Sequence, residues 1–226
     1  MQIEKVSKQS IQKAINFLKS GKAVAYPTDT SYGLAVDAMN ETSVKSLYKI
    51  KERGFKKPVY LVVSSLAMAG KFAKVDARAR KLAKKFLPGA LTLLLPLRHP
   101  LNLPLMRGRS SGGQSRLSQT GISLLSAGTG KIGIRIPKNK IALELVKKLG
   151  WPITATSANI SGQPDNYSTE DIMEQFKNKK YQPDLILDGG KLKKVRPSTI
   201  IDLTHDKPKL IRKGPISFKK VVEVLK

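Results

Sequence analysis

Lys49-Ile-Lys51-Glu-Arg53-Gly-Phe-Lys56-Lys57-Pro58-Val59-Tyr-Leu-Val-Val63 decides the fold class, because a basic stretch at helical spacing gives way, across a glycine and a proline, to an apolar run. Asn40-Glu-Thr-Ser upstream has the composition of a helix start, so a helix is predicted from Asn40 into the cationic cluster and a strand over 59–63. Five Lys/Arg lie within the nine residues Lys49 to Lys57. At a strand edge such a cluster focuses positive potential where a phosphate-bearing ligand could use it; at a helix C-terminus it also satisfies the dipole as a solvated end.

The same alternation runs through the chain. Ile11, Ala14, Ile15 and Leu18 predict an opening helix ended by Gly21, and Ala23-Val-Ala25 a buried strand ending at Pro27. Asp76 to Leu87 reads as a strongly basic helix closed by Pro88-Gly89, and Ala90 to Leu95 as a strand. Ile132-Gly-Ile-Arg-Ile136, Pro152-Ile-Thr-Ala-Thr156, Leu185-Ile-Leu187, Thr199-Ile-Ile201 and Leu210-Ile211 are further strands. Between them Ile141, Ala142, Leu145, Val146 and Leu149 mark a helix, and Phe218, Val221, Val222 and Leu225 a closing one. Strands alternating with helices argue for a single α/β domain, 1–226, with a mixed sheet. The exception is 107–130, whose six Ser, six Gly and three Arg have the composition of a flexible loop.

Composition narrows the function. Without cysteine, disulfides and thiolate metal sites are excluded, and two histidines, His99 and His205, are too few for a multi-histidine metal site. No apolar run approaches the roughly 20 residues of a membrane span, and no signal-peptide core opens the chain, so a soluble, cytoplasmic protein with no membrane partner is expected. Forty-two Lys+Arg against 16 Asp+Glu give a net charge of +26, and Ala77 to Leu143 carries thirteen Lys/Arg with no acidic residue. That excess points to an anionic partner, nucleic acid before membrane, or to a general basic bias of the source proteome.

Four strand ends carry the chemistry. Pro27-Thr28-Asp29-Thr30-Ser31-Tyr32-Gly33 sets three Thr/Ser hydroxyls and a carboxylate where a strand meets a loop, and Thr154-Ala-Thr-Ser157-Ala-Asn159-Ile-Ser-Gly162 repeats the arrangement. In open α/β sheets, ligands bind at strand carboxyl ends, and a Ser-x-Asn pair there can donate to phosphate or ribose oxygens. Side-chain capping of ordinary turns would use the same residues. Pro197-Ser198-Thr199 and Arg212-Lys213-Gly214-Pro215 add hydroxyls and charge at two more strand ends.

In order, PTDTxYG, Lys51-x-Arg53 with Lys57-Pro58, Arg135-Ile-Pro137, Thr156-Ser157-Ala-Asn159, Pro197-Ser-Thr199 and Arg212-Lys-Gly-Pro215 strongly resemble the YrdC/TsaC family of L-threonylcarbamoyladenylate synthases, over about Ile11 to Leu225. The resemblance implies a twisted open α/β sheet around a large basic concave surface in which ATP, L-threonine and bicarbonate react. It further implies delivery of threonylcarbamoyl-AMP to a tRNA threonylcarbamoyl transferase that modifies adenosine 37. Carried over by position, it assigns Thr30, Arg135 and Ser198 to L-threonine, and Arg53, Lys57, Ser157, Asn159 and Arg212 to ATP. Lys51 and Arg53 take the catalytic role. An Arg can grip a carboxylate bidentately and several cations can neutralise a triphosphate, so the chemistry agrees. The implied reaction carboxylates the threonine amine; a carbamate oxygen then attacks the α-phosphorus and pyrophosphate departs. No protein nucleophile or protein-held metal is needed, Mg²⁺ arriving with the nucleotide.

Lys131 stands where the family usually has a small hydroxyl residue, Asp165 where serine is common, and Val62 where some members carry histidine. The 107–130 segment reads as an insertion beside the nucleotide pocket. An RNA-binding factor that kept the fold and lost synthesis is the alternative, given the charge; the carbamoyl-transfer relative of hydrogenase maturation carries cysteine-rich zinc modules, absent here. tRNA or double-stranded RNA is the expected macromolecular ligand, bound through the basic stretch from Arg78 to Lys140. Trp151 is read as a packing residue.

Overall fold

The computed structural model describes residues 1–98 and 121–226. In chain order its elements are β1 (Gln2–Lys5), α1 (Lys8–Lys19), β2 (Val24–Tyr26), β3 (Gly33–Ala35), α2 (Glu41–Ile50), β4 (Tyr60–Val62), α3 (Leu66–Ala69), α4 (Ala77–Phe86), β5 (Leu91–Pro96), α5 (Gly121–Leu125), β6 (Lys131–Arg135), α6 (Lys140–Leu149), β7 (Ile153–Ala155), α7 (Thr169–Phe176), β8 (Leu185–Asp188), β9 (Thr199–Asp202), β10 (Lys209–Arg212) and α8 (Phe218–Leu225). The architecture is the expected α/β one, with open mixed sheets and flanking helices. The strands, however, divide between two sheets, ordered β1-β8-β2-β3 and β10-β9-β5-β6-β4-β7.

Thr154 explains how two sheets hold as one scaffold. It is fully buried, and its hydroxyl accepts from Val36 N at 3.0 Å and donates to Leu34 O at 3.0 Å. Leu34 N also donates to Thr156 O, and isolated bridges pair Gly33 with Ser157 and Asp37 with Ile153. β3 and β7 are thereby stitched across the gap, so the two motifs that follow β2 and β7 meet. Two apolar clusters form, each drawing on strands of both sheets. Ile11, Ala14, Ile15 and Leu18 of α1 pack with Ala142, Leu145, Val146 and Leu149 of α6 in one, where Trp151 also packs, while Leu61, Ile134, Leu93 and Ile201 lie in the other.

Helix starts follow local capping. Asn40 and Asn139 accept from Ser43 N and Ala142 N, and Ser168 forms a capping box with Asp171 ahead of α7. β1, β3, α3 and α7 escape the sequence reading because each is short or nearly uniform in polarity. α7 has only Ile172 and Phe176 as buried apolar residues. Among the described residues no helix is long and apolar enough to cross a membrane.

The flexible segment expected over 107–130 needs correction at its end. Up to residue 120 it lies outside the described residues, as does His99; from Gly121 the chain is α5, with Gly121, Ile122 and Leu125 buried and packed on α2. Composition concealed an apolar triplet, Ile122, Leu124 and Leu125, among serines and glycines. Gly121 is glycine because a Cβ there would meet Ala38 O and stand 2.9 Å from Val44 Cγ2. Gly121→Ala is therefore expected to cost about 2 kcal/mol and lower the thermal midpoint by roughly 4–8 °C. Scanning calorimetry of the variant checks this, and an unchanged midpoint would show that α5 does not pack so closely.

Candidate active site

Strand register builds the floor of a cavity of ≈ 250 Å³. Across the larger sheet Ile153 pairs with Val62, Val62 with Arg135, Arg135 with Thr92, Thr92 with Ile200 and Ile200 with Arg212. Paired residues project to the same face, so one row carries Val62, Arg135, Thr92, Ile200 and Arg212 to the cavity wall. Arg212 joins it only through a bulge: Leu210 pairs with Ile201 and Arg212 with Ile200, leaving Ile211 as the extra residue. Without it Ile211 would lie opposite Ile200, and the guanidinium would turn away. Ile211 is instead exposed.

At one end Arg135 Nη2 donates to Asp29 Oδ1 at 2.7 Å, a largely buried ion pair, and both terminal nitrogens lie 3.4 Å from Thr30 Oγ1. The PTDTSYG loop is self-braced: Thr28 Oγ1 donates to Ser31 O and accepts from Thr30 N. Gly33 closes it because a Cβ there would stand 2.9 Å from Tyr26 Cζ and 3.1 Å from Thr28 Cγ2. The buried Tyr26 ring lines the same end, and burial raises its phenol pKa beyond the ordinary range.

At the other end Arg212 Nε donates to Ser198 O and Nη2 to Ser198 Oγ, both at 3.0 Å, while Ser198 Oγ lies 2.9 Å from Thr92 Oγ1. Burial pulls the Arg212 pKa below its usual value. Gly214 permits this turn, since any Cβ there would collide with the backbone of Pro197, Ser198 and Thr199.

The Lys-x-Arg pair splits by geometry. α2 ends with Glu52 at φ 47°, with Arg53 N donating to Tyr48 O and Glu52 N to Lys49 O, a Schellman arrangement with glutamate in the left-handed place usually given to glycine. The reversal sends Lys51 inward and Arg53 to the cavity. Arg53 is held by Pro58 O at 2.9 Å, Lys57 O at 3.2 Å and Ser161 Oγ at 3.4 Å. Lys51, 2% exposed, donates from Nζ to Ser157 O at 2.6 Å, Asn159 O at 2.8 Å and Asn159 Oδ1 at 3.0 Å. Burial, with the Arg53 charge second, draws its pKa down to about 7.

Of the residues singled out in the sequence, Thr30, Arg53, Arg135, Ser157, Ser198 and Arg212 share this cavity wall, as do Val62 and Asp165. Lys51, Lys57 and Asn159 are not on it. Lys51 and Asn159 lie behind Ser157, whose hydroxyl donates to Asn159 Oδ1 at 2.7 Å, so they position the loop rather than face a ligand. Lys131 is also off the wall, its ammonium 2.9 Å from Asp202 Oδ2. Sequence reading missed Tyr60, Thr92 and Ile200, which only register brings to one face, and Tyr26, which reaches the cavity from the smaller sheet. Among the described residues no cluster of three His, Asp or Glu is placed to hold a metal; Asp165 is the carboxylate on the wall, and Asp29, just behind it, is committed to Arg135.

A polar, guanidinium-lined cavity at the strand ends of open α/β sheets suits small anionic ligands. The Sua5/YciO/YrdC family model, described as "Telomere recombination", matches residues 16–214, and the chain belongs to that family. It is 33% identical over 223 residues to the threonylcarbamoyl-AMP synthase of Pyrococcus abyssi, covering 98% of this chain and 59% of that protein. The structure of P. abyssi Sua5 complexed with L-threonine matches with a TM-score of 0.82 at 32% identity, over 99% of this chain and 59% of that one. E. coli YciO matches with a TM-score of 0.76 at 26% identity, over 96% of both chains. The chain thus spans under two thirds of the P. abyssi protein.

An anion bound at Arg53 and Ser157 would raise the depressed Lys51 pKa, because opposite charge favours the ammonium. Because burial lowers the Lys51 pKa, the free protein begins to give up that proton above pH 7, so pyrophosphate binding at pH 8 is expected to take up protons from buffer, and Lys51→Met to abolish that uptake. Calorimetry in two buffers of different ionisation enthalpy reads the difference; equal proton uptake in both proteins would rule out Lys51 as its source.

Proposed function

We propose that the protein condenses L-threonine, bicarbonate and ATP into L-threonylcarbamoyladenylate and pyrophosphate, in the cytoplasm, supplying a tRNA threonylcarbamoyl transferase. The observation that carries this reading is the Arg135–Asp29 pair beside Thr30, in the same cavity as Arg53 and Arg212. A cation and an anion side by side suit a zwitterionic amino acid: Arg135 takes its carboxylate, Asp29 its ammonium, and Thr30 its hydroxyl. The two other guanidiniums suit phosphates. Arg135 and Arg212 are three strands apart, on the order of 14 Å between backbones, room enough to lay an amino acid against a nucleotide. The names borne by family members agree, and P. abyssi Sua5 binds L-threonine.

The ammonium gives a proton to bicarbonate, which leaves CO2 and water; the free amine then adds to CO2 and loses a second proton to solvent, yielding a carbamate whose oxygen attacks the α-phosphorus as pyrophosphate leaves. The protein's part is alignment and fixed positive charge. Arg53, Ser157 and Arg212 would hold the nucleotide, with Lys51 and Asn159 fixing the Ser157 loop. Mg²⁺ would come with the phosphates.

Pyrophosphate release from ATP is expected to require both L-threonine and bicarbonate; equal release without threonine would sink the synthase reading. Arg135→Ala should chiefly raise the KM for threonine and Arg53→Ala that for ATP, each by about thirtyfold, or about 2 kcal/mol. Identical shifts for both substrates would dissolve the separate subsites.

Excess charge favours RNA as a further ligand. Arg80, Lys81, Lys84 and Lys85 are exposed along α4, whereas Arg78 is spent internally on Leu203 O, His205 O and Asp206 O. tRNA or double-stranded RNA is expected to bind with a log K against log[salt] slope near −4 for roughly five phosphate contacts. Reversing Lys81, Lys84 and Lys85 to Glu should weaken binding and flatten the slope while synthesis persists. Filter binding over a salt series checks this, an unchanged slope counting against α4.

A further inference from the structure

Tyr60 opens β4, two residues before Val62, and therefore faces the same cavity. Nothing in its sequence context singles it out. Its ring lies flat across the neighbouring strand: a Cβ on Gly133 of β6 would run into the Tyr60 Cβ, Cγ and Cδ1 atoms. Gly133 is the one position of β6 without a side chain, and it stands where the ring crosses. With its ring seated against β6, Tyr60 shares the cavity wall with Arg212 and Arg53, whose charges reach its phenol.

Both guanidiniums of this end are anchored from behind. Arg53 is held through Nε, Nη1 and Nη2 by Lys57, Ser161 and Pro58, and Arg212 through Nε and Nη2 by Ser198 alone. Among the described residues the bonds of Arg212 run through Nε and Nη2, which leaves Nη1 to face the cavity beside the Tyr60 hydroxyl. Burial raises the Tyr60 pKa, and the Arg212 and Arg53 charges only partly oppose it, so the phenol stays protonated and able to donate near neutral pH.

We propose that the Tyr60 hydroxyl donates a hydrogen bond to a phosphate oxygen held between Arg53 and Arg212, with Gly133 as the positioning residue that lets the ring reach it. The assignment rests on the nucleotide reading of this end of the cavity, and it adds to two cations a neutral donor that fixes where the phosphate sits. Pyrophosphate, which needs neither adenine nor threonine, is the suitable ligand for a test.

Calorimetric titration with pyrophosphate should show Tyr60→Phe binding about tenfold more weakly than the unsubstituted protein, with L-threonine affinity within twofold and the thermal midpoint unchanged. Gly133→Ala, which displaces the ring, should weaken pyrophosphate similarly, and adding it to Tyr60→Phe should cost little more. Pyrophosphate affinity within twofold in Tyr60→Phe overturns the proposal. So does loss of adenosine binding in Tyr60→Leu with pyrophosphate affinity intact in Tyr60→Phe, which would make the ring a base-stacking surface. If the unsubstituted protein binds no pyrophosphate, the nucleotide reading and the proposal fall together. Weakened pyrophosphate binding without threonine-dependent synthesis would support Tyr60 and reject the synthase.

Discussion

A buried ammonium is the constraint on which the site depends. Taking the charged Lys51 out of water costs several kcal/mol, offset by its three acceptors in the 157–159 loop and by the charge of Asp165. The loop in turn has little freedom to do otherwise. Asn159 Oδ1 accepts from both Lys51 and Ser157 while Asn159 Nδ2 donates to Gln163 O at 2.6 Å, and Ala158 N and O are tied to Tyr32 O and Asn166 Nδ2. Ser157 can face the cavity only while this clasp holds. The left-handed backbone at Glu52 belongs to the same constraint, since it turns consecutive cations of one motif in opposite directions.

The second constraint is register. A one-residue slip between β5 and β6 would place a leucine opposite Arg135 in place of Thr92 and put Thr92, Ile200 and Arg212 on the face opposite Arg135. Continuous apolar pairing on the opposite face, Leu61 with Ile134, Ile134 with Leu93, and Leu93 with Ile201, makes such a slip costly. The apolar core thus fixes the polar floor, and the bulge at Ile211 is the single adjustment that brings Arg212 onto it.

What the sequence disclosed follows from this. Thr30, Arg53, Arg135, Ser198 and Arg212 were legible because each sits in a short motif at a strand end, and motif order survives without knowledge of packing. Lys51 was legible as a residue of consequence but not in its direction, which hangs on one positive φ. Thr92 and Tyr60 were not legible, because Leu-Thr-Leu and Val-Tyr-Leu read as ordinary buried strands until register shows which alternate residues face a cavity. α5 was hidden by serine and glycine around it, and the division into two sheets by the shortness of β3 and β7, whose contact depends on the hydroxyl of Thr154.

The placement of the cations also bears on how such a cavity works. Arg53 and Arg212 are held by backbone carbonyls and hydroxyls, which are neutral, whereas Arg135 is held by the carboxylate of Asp29. Neutral acceptors orient a guanidinium without discharging it, so the first two keep their full charge for any anion that enters the cavity, and their anchoring leaves little reorganisation to be made on binding. Arg135 is already neutralised by its partner, so a bare anion gains little there. A zwitterion, which meets both members of the pair at once, gains most. The discrimination between the two ends therefore comes less from the arginines themselves than from what stands behind each of them.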